Sequence, residues 1–336
     1  MEKAQQFLEN YTGSTCSVFY ALAESGSSRR NYFATSGGRN FIVTSNSNLR
    51  ENESFYYLTD VFQQLQLNTP KIFSISEDRT LYVQEYLGKR TLSEIISQEG
   101  ESERVKILVR KSLNSLFVLQ QKSVNKVDFS NAFEYEVYDE LPIQNDLFYF
   151  KSFIADVLEL PYHKSSLLRE FRELTEKLTD LGPRSVMLRD FQARNIMVND
   201  EDEVYFIDYQ SAMEGPAMYD VISFLFQAKA NFSINFRAEM LNYYFDMHDD
   251  PTVREQLQSS LAPLQLVRFM QVLGAYGFRG LIQKKAHFIS SLSAGTDNLY
   301  SLSEKWKDMH FYPELKKLIT CLKSGETNKK IKQSLL

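Results

Sequence analysis

Little in this chain suits a metal-clustered, redox-linked or membrane-embedded protein. Only two cysteines occur in 336 residues. Cys16 and Cys321 stand too far apart in sequence to read as a metal cluster or a disulfide framework, and a reducing cytoplasm is the expected setting. His163, His248, His287 and His310 are scattered without ligand spacing, so no zinc site is expected. There is no GxSxG elbow and no histidine near Cys16, which leaves hydrolase and thiol-nucleophile chemistry without support. No apolar run reaches the roughly 18 residues that span a bilayer. The opening MEKAQQFLENYTG lacks the apolar core of a signal peptide. Basic charge is not in excess: 38 Lys+Arg stand against 43 Asp+Glu, so neither nucleic acid nor a membrane is an expected partner. One absence is local and chemically pointed: no lysine lies between Lys3 and Lys71.

What is present reads as a folded chain. Hydrophobic residues make up 43% and charged residues 24%, which is ordinary globular usage, and the length exceeds the roughly 100–200 residues of one domain. Short β-prone runs at 17–22, 31–34, 41–44, 72–75 and 81–86, separated by Gly/Ser or charged turns, predict a mostly antiparallel sheet. Phe55, Leu58, Phe62 and Leu65 recur at spacings of three and four and predict one amphipathic helix over 51–65. From Thr91 the period turns helical, with helices expected over 103–121, 167–181, 219–230, 236–247 and 263–283. Residues 128–141 read as an acidic, aromatic loop, and the last ten as a frayed basic tail. Among the helices, 196–198 and 204–207 are short apolar strands joined by the acidic turn NDEDE, a β-hairpin. The expected fold class is α+β. A small antiparallel sheet lobe with one helix covers residues 1–87, and a larger, mainly helical lobe covers 88–336.

The hairpin is flanked by chemistry. Arg189-Asp190-Phe191-Gln192-Ala193-Arg194-Asn195 precedes it, and Ile207-Asp208-Tyr209-Gln210 follows. Pairing residue 198 with 205 would set Asn195 beside Asp208. A carboxylate and an amide together offer hard oxygen ligands suited to Mg2+. A second carboxylate, Asp190, can accept the proton of an incoming hydroxyl. Phosphoryl transfer needs both functions. Any one of these residues alone would be read as a turn or cap residue. All three at the spacing D-x4-N, strand pair, apolar-Asp, followed by Gly215-Pro216 and Tyr219-Asp220, favour function.

The stretch LRDFQARNIMV…YFIDYQSAMEGPAMYDVISFLFQ resembles the catalytic segment of the aminoglycoside phosphotransferase family, which shares the two-lobed fold of protein kinases. The arginine before Asp190, the IDYQ ending and the segments LAESGSSRRNYF, RENESF, YVQEYLG and VRFMQVLGAYGFRG most resemble one branch of it. That branch comprises the bacterial anomeric kinases that act on the cell-wall sugars N-acetylmuramate and N-acetylglucosamine. The likeness runs from Ala21 to Leu302. It implies ATP-dependent phosphorylation of an amino sugar to its 1-phosphate, in cytoplasmic recycling of peptidoglycan. By the same resemblance Asp190 is the catalytic base, Asn195 and Asp208 hold Mg2+, and Asp220 is structural. Gln84, Glu85, Tyr86 and Leu87 fall in a hinge at 83–88 that bonds the nucleotide base. Two alternatives are a kinase for an aminoglycoside or choline-like alcohol, and a nucleotide-binding pseudokinase. Against the pseudokinase stands the intact set of Asp190, Asn195 and Asp208.

Two positions depart from the wider kinase pattern. Leu188 stands where a scaffold histidine is usual, and Thr44 stands about where a lysine grips the α- and β-phosphates. Guanidinium binds phosphate bidentately. The amides and hydroxyls of the turn ESGSSRR, Ser27 and Ser28 among them, can form an anion-binding concavity. Arg29 or Arg30 is therefore expected to replace the lysine. Glu51, which opens the small-lobe helix, could pair with such an arginine or simply favour the helix dipole. Gln192, Arg194 and Gln210 are candidate substrate contacts. Gly274, Gly277 and Gly280, three apart, read as close helix packing rather than phosphate binding. Arg279 is a candidate for the sugar cleft as well as for a surface ion pair.

Overall fold

The computed structural model describes residues 1–23 and 29–333. Two compact units divide the chain: Met1–Glu136 with Leu188–Met213, and Val137–Met187 with Glu214–Leu336. This division differs from the expected lobes at 1–87 and 88–336, because residues 88–136 and the hairpin cluster with the sheet.

In the first unit, β1 (Cys16–Ala21), β2 (Arg30–Ser36), β3 (Arg39–Ser45), β4 (Ile72–Ile75) and β5 (Leu81–Glu85) form an antiparallel sheet in the order β1-β2-β3-β5-β4. Strand alternation gives this sheet two different faces. On one, Tyr32, Ala34, Phe41, Val43, Leu81 and Val83 close a core with Ala4 and Leu8 of α1 (Glu2–Thr12). The sequence reading has no α1, and these are its only two buried residues, too few to mark a period. The opposite face carries the cross-strand row Asn31, Thr44 and Tyr82. There α2 (Leu49–Gln64) sets Phe55 and Tyr56 each 5.3 Å from the Tyr82 ring. Asn48 caps α2 by accepting from the Glu51 amide.

The same unit continues through β6 (Arg90–Thr91), α3 (Leu92–Glu99) and α4 (Glu103–Lys122). β6 pairs with the hairpin of β8 (Ile196–Val198) and β9 (Val204–Phe206). The hairpin register differs from expectation. Val198 pairs with Val204, so Asn195 stands opposite Ile207, whose amide donates to the Asn195 carbonyl at 3.0 Å. The physical reason lies in the turn. The Asn199 carboxamide accepts from the Glu201 and Glu203 amides at 3.1 and 2.8 Å, closing the loop one residue early. Cations of α4 then clasp it: Arg104 contacts Asp202 at 2.6 Å, and Lys111 contacts Glu203 at 2.7 Å.

The second unit is mainly helical. It holds α5 (Glu140–Phe150), α6 (Lys164–Thr179), the strand pair β7 (Arg184–Met187) and β10 (Met213–Pro216), and α7 (Met218–Leu225). α8 (Ile234–Asp246), α9 (Pro251–Gly277), α10 (Ala286–Lys305), α11 (Pro313–Lys323) and α12 (Gly325–Gln333) complete it. α9 starts well before residue 263, where Asp250 caps it and Pro251 takes the first turn. The expected frayed tail is helical through Gln333: Ile331 is buried, and the Lys330 ammonium donates to the Leu158 carbonyl. Both α5 and α9 end in π-helical turns, Lys151–Asp156 and Phe278–Ile282. The glycines of α9 bring these segments together. A Cβ on Gly274 would meet the Phe150 amide nitrogen at 2.9 Å, and one on Gly277 would run into the Phe153 carbonyl. Gly277→Ala should therefore cost about 1–3 kcal/mol of unfolding free energy. An unchanged urea midpoint would show that this contact does not govern the packing.

Candidate active site

The segment after Met187 alternates between anchoring and projecting side chains. Leu188, Phe191 and Ala193 are buried, and Phe191 meets Phe206 edge-on at 4.8 Å. Leu188 is thus held by apolar packing. Between these anchors Arg189, Asp190, Gln192 and Arg194 are left partly or fully exposed. Arg189 has φ +72°, a left-handed conformation that costs a non-glycine residue on the order of 1–3 kcal/mol. That turn aims Asp190.

Three side chains converge on the Asp190 carboxylate. Gln192 Nε2 donates to Oδ1, and Arg194 Nη2 donates to Oδ2 at 2.5 Å. Asn195 Nδ2 donates both to Oδ2 at 3.2 Å and to the Asp190 carbonyl at 2.9 Å. The Asn195 amide is thereby oriented with Oδ1 left as its acceptor. The carboxylate itself is held in one attitude by short local bonds.

Asp208 is set by different neighbours. It too lies in the left-handed region, at φ +65°, which aspartate tolerates better than most residues. Tyr209, next in sequence, is buried against Phe55 and Phe62 at ring separations of 5.1 and 5.2 Å, and its hydroxyl lies 2.7 Å from Thr59 Oγ1. Ser54 Oγ donates to the Gln210 carbonyl at 2.8 Å. α2 therefore grips the two residues that follow Asp208.

That side chain enters a charged row. Arg29 Nη2 pairs with Asp208 Oδ1, and Arg29 Nε lies 3.2 Å from Glu51 Oε1. Asn46 donates to the other Glu51 oxygen at 2.9 Å. Gln210 bridges the row, accepting from Arg29 Nη1 at 3.2 Å and donating to Asp208 Oδ1 at 3.1 Å. Burial works against the Arg29 charge, but Asp208, Tyr82 and Glu51 outweigh it and hold the guanidinium above its ordinary pKa. Burial pushes the neighbouring Tyr82 phenol up, and the Arg29 charge only partly opposes this.

Seven of the expected site residues thus fall into two groups, Gln192, Arg194 and Asn195 around Asp190, and Arg29 and Gln210 around Asp208. Gln210 has both ends of its amide engaged by Arg29 and Asp208, the position of a brace. Gln192 and Arg194 act on Asp190. Thr44 donates to Asn31 and accepts from Gln84 Nε2 at 3.0 Å, so β3 presents no cation here. Gln84 and Glu85 end β5, Tyr86 rests on Phe33 at 5.1 Å, and Leu87 is buried. Gly88, at φ +110°, passes so close to the hairpin that a Cβ would stand 3.3 Å from the Val198 carbonyl. Arg30 is exposed at the start of β2, and Ser27 and Ser28 lie outside the described residues. Asp220 is fully buried in the first turn of α7. Sequence reasoning missed Ser54, Thr59 and Tyr209 as supports, and nothing in their spacing marks them.

The donor set fits Mg2+. Asn195 Oδ1 and the Asp208 carboxylate are hard oxygens that flank a single strand pair. Among the described residues no group of three His, Cys, Asp or Glu side chains could hold a metal, so the remaining ligands would come from phosphate and water. No helix among those residues is long and apolar enough to cross a membrane.

Residues 20–257 match the phosphotransferase enzyme family (APH), and the chain belongs to that family. No curated protein matches it significantly in sequence. Among solved structures, it is similar to the choline kinase LicA from Streptococcus pneumoniae, with TM-score 0.59 and 17% identity over 89% of this chain and 97% of that one. A thermostable aminoglycoside phosphotransferase APH(4)-Ia, solved with ADP and hygromycin B, gives 0.59 and 17% over 88% and 98%. A choline/ethanolamine kinase family protein from Mesorhizobium loti gives 0.61 and 13% over 96% and 99%. The fold is kinase-like, an antiparallel sheet lobe with a helical lobe.

The Tyr209–Thr59 contact yields a simple check. Tyr209→Phe removes one buried hydroxyl while Thr59 keeps its bond to the Phe55 carbonyl, so stability should fall by about 1 kcal/mol. Equal urea midpoints for variant and wild type would mean that this pair does not secure the Asp208 segment.

Proposed function

We propose that the chain is an ATP-dependent small-molecule kinase that phosphorylates an amino sugar of the N-acetylmuramate or N-acetylglucosamine type at its anomeric hydroxyl. One observation carries the reading: a carboxylate held by three donors at Asp190 shares one short hairpin with two further oxygen ligands, Asn195 just before it and Asp208 just after it. Asp190 orients the sugar hydroxyl and takes its proton as the oxygen attacks the γ-phosphorus. The bond from that phosphorus to the β–γ bridging oxygen breaks, and ADP leaves. Mg2+ held by Asn195 and Asp208 would neutralise charge on the phosphate oxygens.

In this reading residues 1–87 are the nucleotide-binding lobe, with Ser27, Ser28, Arg29 and Arg30 toward the phosphates and Gln84 to Leu87 along the base. Arg194 lies beside the Asp190 carboxylate. A cation at this position suits the carboxylate of N-acetylmuramate better than a choline-like amine. The setting proposed is cytoplasmic recycling of peptidoglycan sugars.

Phosphorus NMR of the purified protein with ATP, Mg2+ and each sugar tests this directly. Wild type should yield a sugar 1-phosphate signal. Asp190→Asn should bind ATP nearly normally and turn over at least about 100-fold more slowly. Retained turnover in that variant would remove Asp190 from the role of base. ATP binding without any sugar phosphate from wild type would sink the acceptor assignment.

A further inference from the structure

The charged row at Asp208 contains more than a metal ligand needs. Three ionisable side chains, Glu51, Arg29 and Asp208, sit together with side-chain exposures of 10%, 12% and 31%. Withdrawing such charges from water is unfavourable unless they are paired and fully bonded. Here the pairing is incomplete. Arg29 Nε is buried and makes no hydrogen bond, although Glu51 Oε1 lies only 3.2 Å away. A guanidinium carries five N–H donors, and the bonds to Gln210 and Asp208 occupy one on each Nη. The Tyr82 hydroxyl also lies against the guanidinium. Among the described residues no further carboxylate or amide engages the second N–H of each Nη, in the fork geometry that matches phosphate oxygens. The three formal charges sum to a net negative value, so a polyphosphate would enter this row only together with its own divalent cation.

Strand parity explains why Arg29 and not Arg30 occupies this place. Arg30 shares a side of β2 with Tyr32 and Ala34 but lies exposed at the strand's start, whereas Arg29 continues the side of Asn31. Asn31 pairs with Thr44, and Thr44 with Tyr82. Thr44 is wholly buried and engaged by Asn31 and Gln84, so β3 sends no charge toward Asp208.

We propose that Arg29, positioned by Glu51, is the phosphate-gripping cation of this enzyme, delivered from the start of β2 in place of a lysine on β3. This rests on the phosphotransferase reading but not on any particular acceptor. Arg29 bonds the polyphosphate through its remaining Nη donors. Glu51, itself fixed by Asn46, limits the swing of the guanidinium so that it stays beside the metal carboxylate. Arg29 thus both touches the nucleotide and screens Asp208 from Glu51.

Calorimetric titration of the full chain with Mg·ATP, Mg·ADP and adenosine decides the matter without an acceptor. In Arg29→Ala, affinity for ATP and ADP should fall about 10- to 100-fold, while adenosine binding stays within twofold. Arg29→Lys should recover most of the loss. Arg39→Ala, which removes a cation of the same sheet lying over Phe41 and Phe73, should bind all three ligands like wild type. Glu51→Gln should weaken ADP in the direction of Arg29→Ala, again sparing adenosine. Should Arg29→Ala fail to fold, Arg29→Met keeps the length of the side chain without its charge and gives the same comparison. An ADP loss no larger than the adenosine loss, or one equalled by Arg39→Ala, overturns the proposal and leaves Arg29 a staple of the fold. Failure of wild type to bind any of the nucleotides would instead overturn the phosphotransferase reading itself.

Discussion

The antiparallel pairing of Ile196–Val198 with Val204–Phe206 is the constraint on which the site depends. It carries the chain from the Asp190 loop out to solvent and back, so that Asn195 and Ile207 face each other and Asp208 emerges next in line. The strands are only three residues long, too short to hold themselves. Their stability is borrowed from three directions: β6 extends the ladder, Asn199 closes the turn, and Arg104 with Lys111 neutralises its acidic residues. An acidic turn without those cations would repel itself at the point where register is set.

Two residues beside the hairpin adopt left-handed backbone, Arg189 and Asp208. Each is flanked by a buried anchor, Leu188 before one and Tyr209 after the other. Apolar burial of a side chain on the order of 1.5–3 kcal/mol is enough to offset strain of similar size. The backbone from which the polar side chains leave is thus fixed by apolar neighbours, Phe55, Phe62 and Phe206 among them, while direct hydrogen bonds set the side chains themselves. The same division of labour governs the second unit, where glycines at 274 and 277 let α9 lie directly on α5 and its π-helical extension. Glu170 of α6 extends it further by accepting from the Glu314 and Leu315 amides at 2.8 and 2.7 Å, capping α11 from a distant helix.

Family and fold stand on different footings. The family match covers residues 20–257, whereas the solved structures share at most 17% identity among those cited. At that level the backbone persists while side chains around an acceptor diverge. The acceptor must therefore be argued from this chain's own charges, in which arginines are prominent.

The amino-acid sequence by itself determined the strand alternation, the amphipathic face of α2, the D-x4-N spacing and the absence of a lysine from the sheet. These are local: a side chain's period follows from backbone geometry, and a missing residue type is missing in any fold. The helices α1 and α12 escaped notice because each buries few residues, and the hairpin register because a single carboxamide moved it by one position. Which arginine meets Asp208 could not be read from adjacency in ESGSSRR. Only the tertiary structure decided it, because the choice depends on which face of β2 meets α2, and that was settled by the burial of Tyr32 and Ala34 on the other side. The same holds for Gln210, whose role depends on two partners distant in sequence. Charge and spacing are written along the chain, but a partner exists only once packing has chosen the face.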